Sequence, residues 1–144
     1  MPHFADKKTL PFKPQQMFDM VADVAAYPEF LPWCKAARIF DVKDASFHAD
    51  LIIGFMAFKE RYTSHVKLES PTSVQVDYVR GPMKHLYNHW KFEAADGGCI
   101  VDFEVDFEFK NAAFEAMIGP LFLTATKKMI QAFEDRAKEL YGVP

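Results

Sequence analysis

Cysteine is nearly absent. Only Cys34 and Cys99 occur, far apart in the chain, which leaves neither a disulfide framework nor the clustered ligands of a zinc knuckle. Glycine is scarce too, with six residues. No Walker sequence, GxGxxG or GxSxG is present, which excludes the familiar phosphate-cradling loops and the nucleophile elbow. No run approaches the roughly 20 apolar residues that a spanning helix needs. Met1-Pro2-His3-Phe4 opens neither the apolar core of a secretory signal nor the Arg-rich stretch of a transit peptide, so the expected location is a reducing cytoplasm. An excess of positive charge is missing as well. The net charge is −3, whereas phosphate binding runs on clustered Lys and Arg, and DNA is not expected as a partner.

What is abundant is phenylalanine. Half of the 144 residues are hydrophobic and 15 of them are Phe, a composition that folds and a length that suits one domain, 1–144. Flat aromatic side chains fill cores and also line cavities for apolar ligands.

Periodicity divides the chain. Residues 3 to 11 read as a strand, and Pro14 sits where a helix starts, at a first-turn position whose missing N–H costs nothing. Met17, Phe18, Val21 and Val24 follow at helical spacing. Between Tyr27 and Cys34, Pro28 and Pro32 push their preceding residues towards extended geometry and make a stiff aromatic connection. From about residue 35 to 110 the period is two, with five or six strands between short turn signals. In Val101–Phe109 every odd residue is apolar and every even one acidic, which gives one buried face and one wet face. The same alternation groups Tyr62, Val66 and Leu68; Val74, Val76 and Tyr78; and Leu86, Asn88, Trp90 and Phe92.

Residues 112 to 140 read as one long helix with Ile118, Leu121, Phe122, Ala125, Met129, Ala132, Phe133, Arg136 and Leu140 near one face. From Phe114 to Leu123 nearly the whole circumference is apolar, and Gly119-Pro120 is expected to interrupt the backbone pairing. The order strand, helix, antiparallel strands, terminal helix is α+β. A sheet of that many strands curls, and only the terminal helix is long enough to cover its concave face. An apolar cavity is expected where the first half of that helix meets the strands carrying Val76, Tyr78, Leu86, Trp90, Phe103, Val105 and Phe107.

Several residues invite a chemical reading. His85 and His89 share a strand face with HxxxH spacing, but a zinc site on this spacing wants a helix and a further ligand. No metal site is expected. Asp102, Glu104, Asp106 and Glu108 alternate with buried residues and belong to the wet face, not to an acid–base pair. Cys34 has no His near it in sequence and reads as a structural thiol. Phe30, Leu31 and Trp33 are either packed core or a cover over the cavity entrance. Asn88 and Tyr78 are polar groups on inward faces, satisfied internally or paired with a ligand carbonyl.

Ala22-Asp23-Val24 leading into Tyr27-Pro28-Glu29-Phe30-Leu31-Pro32-Trp33-Cys34, then Gly81 to Phe92, then Met129 to Lys138 resemble, in order, the coenzyme Q-binding START-like family, within the wider polyketide cyclase and lipid-transfer superfamily. The resemblance implies a helix-grip fold holding ubiquinone or a related polyprenyl lipid as bound ligand, with no catalytic cofactor and no catalytic residue. It also implies support of respiratory electron transfer, peripheral contact with the inner membrane and, through its ribosome-associating members, the large ribosomal subunit as an alternative partner. A cyclase-like enzyme is the remaining alternative.

Overall fold

Strand alternation and helix caps place the elements as β1 (His3–Leu10), α1 (Pro14–Ala22), a 3-10 helix (Val24–Glu29), β2 (Cys34–Lys43), β3 (Ser46–Phe55), β4 (Phe58–Glu69), β5 (Ser73–Arg80), β6 (Met83–Ala95), β7 (Gly98–Phe109) and α2 (Ala112–Tyr141). This computed structural model describes residues 3–55 and 58–142, and the side chains of Phe55, Phe58, Ile118 and Phe122 lie outside that description. The strands form one antiparallel sheet in the order β1-β7-β6-β5-β4-β3-β2. Its two edges, β1 and β2, do not pair with each other, so the sheet is curved but open.

The architecture is the expected α+β helix grip. On β7, Val101, Phe103, Val105 and Phe109 are buried towards α2, while Asp102, Glu104, Asp106 and Glu108 keep partial contact with water on the other face. Helix α1 buries Met17, Phe18, Met20 and Val21, and Phe18 meets Phe92 of β6 edge to face at 6.4 Å.

Helix α2 starts at Asn111, whose side-chain oxygen accepts the Phe114 N–H at 2.9 Å, an ordinary N-cap. It then runs continuously through Gly119 and Pro120, and the expected interruption of the pairing is confined to the one hydrogen bond that Pro120 cannot donate. Both residues are exposed, so water reaches the carbonyl that Pro120 leaves without a partner. Phe133 fastens the second half of the helix. It is 3% exposed and meets Trp90 at 5.0 Å, Tyr27 at 5.4 Å and Phe30 at 5.2 Å; burying such a side chain is worth about 1.5–3 kcal/mol. Leu140 was expected on the same face but is exposed. The inward row continues from Phe133 through Ala137 to Tyr141, at helical i, i+4 steps, and the Tyr141 hydroxyl donates to the Gln16 carbonyl of α1 at 3.0 Å.

Candidate functional site

Between the sheet and α2 lies an apolar cavity in two lobes. The outer lobe, about 250 Å³, is lined by Trp33, Ile53, Tyr62, Met83, Leu86, Asn88, Val105, Phe107 and Phe109, and by Leu121, Ala125, Thr126 and Met129 of α2. The inner lobe, about 150 Å³, lies under the 3-10 helix, between Val24, Tyr27, Leu31, Leu51, Val76, Trp90, Phe103 and Phe133. Trp33, Ile53, Tyr62, Asn88 and Met129 border both lobes and form the neck between them. Among the described residues, no Asp, Glu, Lys, Arg or His lines either lobe.

The polar groups of this cavity are few and neutral. The Tyr27 hydroxyl donates to the Val21 carbonyl, and burial pushes its pKa well above the phenol range. The Cys34 thiol faces the Ala36 carbonyl at 3.7 Å and is pushed up by burial, which suits the inert structural role expected of it. Burial likewise raises Tyr62. Among the described residues no group hydrogen-bonds the Tyr62 hydroxyl. The side-chain oxygen of Asn88 is buried without a hydrogen-bond partner, where an unsatisfied acceptor costs about 1–3 kcal/mol. Gly81 packs directly on the β4 backbone at Tyr62: its φ is +147°, and a Cβ there would lie 2.7 Å from the Tyr62 Cβ and 3.0 Å from its Cα, so only glycine lets the β5–β6 turn approach that closely.

Most residues expected around the cavity meet there. Leu31, Val76, Trp90 and Phe103 line the inner lobe, Leu86, Val105 and Phe107 the outer, and Trp33 and Asn88 both. Tyr78 does not line it. Its ring is inward as the parity implied, but its hydroxyl accepts the Met83 N–H at 3.0 Å, because the strand ends at Arg80 and the chain returns across it. Phe30 is not a cover either. It packs edge to face on Tyr27 at 5.9 Å and on Phe133, with the Arg136 guanidinium 5.2 Å from its ring centre, and so anchors the connection that carries Leu31 and Trp33. The side chains of Ile118 and Phe122 lie outside the described residues. Among the described residues of α2, Leu121, Ala125, Thr126, Met129 and Phe133 line the cavity, which therefore extends into the second half of the helix. Sequence reasoning left out Ile53, Tyr62, Met83, Phe109, Thr126 and Met129; of these, Tyr62 already stood on the inward face with Val66.

The other candidate groups occupy the outer face of the sheet. Asp106 hydrogen-bonds His85 at 3.0 Å and lies 3.6 Å from His3, and these neighbours hold its carboxyl below the usual range. His89 shares hydrogen bonds with Ser73 at 2.7 Å and Tyr87 at 3.2 Å. His48 stacks on His65 at 4.6 Å. Among the described residues no group of three or more His, Cys, Asp or Glu is arranged to hold a metal ion, and no helix is long and apolar enough to cross a membrane.

Comparison with known proteins agrees with this geometry. Residues 10–134 match the family model described as polyketide cyclase / dehydrase and lipid transport. The ribosome association toxin RatA of Pseudomonas aeruginosa is 33% identical over 97% of this chain and 98% of its own. The mitochondrial coenzyme Q-binding protein COQ10 homolog B of Xenopus laevis is 33% identical over 96% of this chain, which spans 59% of that longer protein. Among solved structures, the 18 kDa protein CC1736 of Caulobacter crescentus matches with 34% identity and a TM-score of 0.80 over 99% of this chain and all of that one. The Zhui aromatase/cyclase of a Streptomyces strain matches with a TM-score of 0.85 over 99% of both chains at 15% identity, a likeness of fold. The chain belongs to the polyketide cyclase/dehydrase and lipid transport family.

Proposed function

We propose that this protein binds an isoprenoid quinone or a related polyprenyl lipid in the two-lobed cavity and carries it unchanged in support of respiratory electron transfer. The observation that carries the reading is an apolar cavity whose buried Asn88 acceptor lacks a partner. A quinol hydroxyl donates to it, while the oxidised quinone, whose carbonyls only accept, is served by the Tyr62 hydroxyl. The name of the Xenopus relative points the same way. Absence of turnover is supported by the lining: its ionisable groups are phenols and a thiol that burial keeps protonated, and acid–base chemistry near neutral pH needs groups tuned close to it. Met117, Leu121 and Leu123, exposed on α2 beside the outer lobe, support peripheral contact with the membrane from which the lipid is drawn.

Extraction of the purified protein with organic solvent, followed by mass spectrometry, is expected to recover quinone. An extract without it, together with failure of a short-chain quinone to bind at micromolar concentration, refutes the reading. Conversion of bound quinone on incubation would refute the carrier role and favour the cyclase-like alternative.

A second reading, association with the ribosome, is favoured by the names of relatives such as the Pseudomonas toxin. Exposed Lys127 and Lys128 on α2, and Lys35 and Arg38 on β2, are cations for RNA phosphate, though Arg38 is already engaged with Asp50 at 2.7 Å. Against the net negative charge, the expected association is weak and steeply salt-dependent. Sucrose gradients of supplemented lysate test it; a fall in assembled ribosomes that resists salt would place this reading first.

A further inference from the structure

The two lobes differ in chemistry and in access, and the difference assigns a direction to the ligand. The inner lobe lies under the 3-10 helix and Phe133, and to the Tyr62 and Asn88 of the shared neck it adds Ser64 and the already engaged Tyr27 and Cys34. The outer lobe is almost wholly apolar and is bounded by Leu121, itself exposed along with Met117 and Leu123. A dry cavity of about 150 Å³ accepts one benzene-sized ring, which is the volume of the inner lobe.

We propose that the ligand is held ring first. A single six-membered ring fills the inner lobe, a ring oxygen accepts from the Tyr62 hydroxyl and, in the quinol, a ring hydroxyl donates to the Asn88 oxygen at the neck, and the tail leaves through the outer lobe past Leu121. This rests on the quinone reading and narrows it to a one-ring benzoquinone or benzoquinol head; two fused rings overfill the inner lobe. Tyr62 and Asn88 are then the residues that distinguish a lipid with an oxygenated ring from a plain apolar chain. Neither is spent on another group among the described residues, and both border the two lobes.

Calorimetry on the intact chain with a decyl-tailed benzoquinone, its reduced quinol, the naphthoquinone bearing the same tail, and decylbenzene, which has the ring without oxygens, separates the outcomes. The benzoquinone is expected to bind at least about tenfold more tightly than the naphthoquinone. Tyr62→Phe is expected to weaken the benzoquinone and Asn88→Leu the quinol about tenfold each, as for one lost hydrogen bond, and both to leave decylbenzene unchanged. In Trp33→Phe the remaining indole, Trp90, lines the inner lobe alone, and saturating benzoquinone is expected to quench it. Benzoquinone that binds without quenching Trp90, equal affinity for the two quinones, or losses for decylbenzene equal to those for the oxygenated rings overturns the ring-first orientation while the quinone reading stands. Failure of the unmodified protein to bind either quinone overturns both.

Discussion

Trp90 of β6 and Phe133 of α2 meet edge to face, ring centres 5.0 Å apart and planes at 63°, and this contact joins the sheet to the terminal helix beneath the inner lobe. Replacing Phe133 by alanine removes that ring together with its contacts to Tyr27 and Phe30. The expected loss is about 3–5 kcal/mol of stability, read from urea unfolding, with a red shift of Trp90 emission as water enters.

Asn88 pulls stability and binding in opposite directions. Asn88→Leu replaces an orphaned buried acceptor with an apolar side chain of similar shape, so unfolding of the ligand-free protein is expected to become about 1–2 kcal/mol harder while affinity for the quinol, whose hydroxyl donates to that acceptor, falls. A variant that loses stability would show that Asn88 is satisfied within the fold.

Arg136 ties the cavity wall to α2 from outside. It pairs with Glu29 at 3.1 Å and Glu139 at 2.8 Å and covers Phe30. Both carboxylates are exposed, so Arg136→Ala is expected to cost only about 1 kcal/mol. Release of bound quinone, followed by stopped-flow fluorescence, is expected to quicken because Phe30 anchors the connection bearing Leu31 and Trp33.

The outer face makes stability depend on pH. Desolvation first, then the neighbouring His48 and Lys67, lowers the pKa of His65, and desolvation with Lys91 lowers that of His89. A histidine lowered in the folded state binds fewer protons than the unfolded chain once pH falls below about 6.5. Stability therefore declines from there and levels off below the lowered values. Urea midpoints at about pH 7.5 and about pH 5.5 are expected to differ in the natural protein and to converge in His65→Gln/His89→Gln; an unchanged gap would refute the assignment.

The strands of this fold are legible wherever polar and apolar residues alternate. Val101 to Phe109 declares both its faces, and Asn88, between Leu86 and Trp90, is placed inward by parity alone. Leu51-Ile52-Ile53-Gly54 has no such period, so Ile53 could not be assigned to the cavity from sequence. Tyr78 shows a different limit. Its parity is right, yet the fate of its hydroxyl depends on where the strand stops and what returns across it. On α2, one-faced residues such as Thr126 and Met129 read as ordinary packing. What makes them cavity wall is the width of the sheet opposite, a tertiary property with no local signature.

The open sheet, whose edges β1 and β2 never pair, gives the container one adjustable wall. A closed barrel widens only by breaking a ladder of hydrogen bonds, but here the seam is closed by a helix held through side chains. Its second half is pinned at Phe133, whereas Met117, Gly119, Pro120, Leu121 and Leu123 in its first half are exposed. Leu121 and Trp90 thus mark two ends of the cavity held with unequal restraint. Under the ring-first orientation proposed above, that asymmetry predicts strictness about the head group and tolerance of tail length, with selectivity and accommodation at opposite ends of one helix.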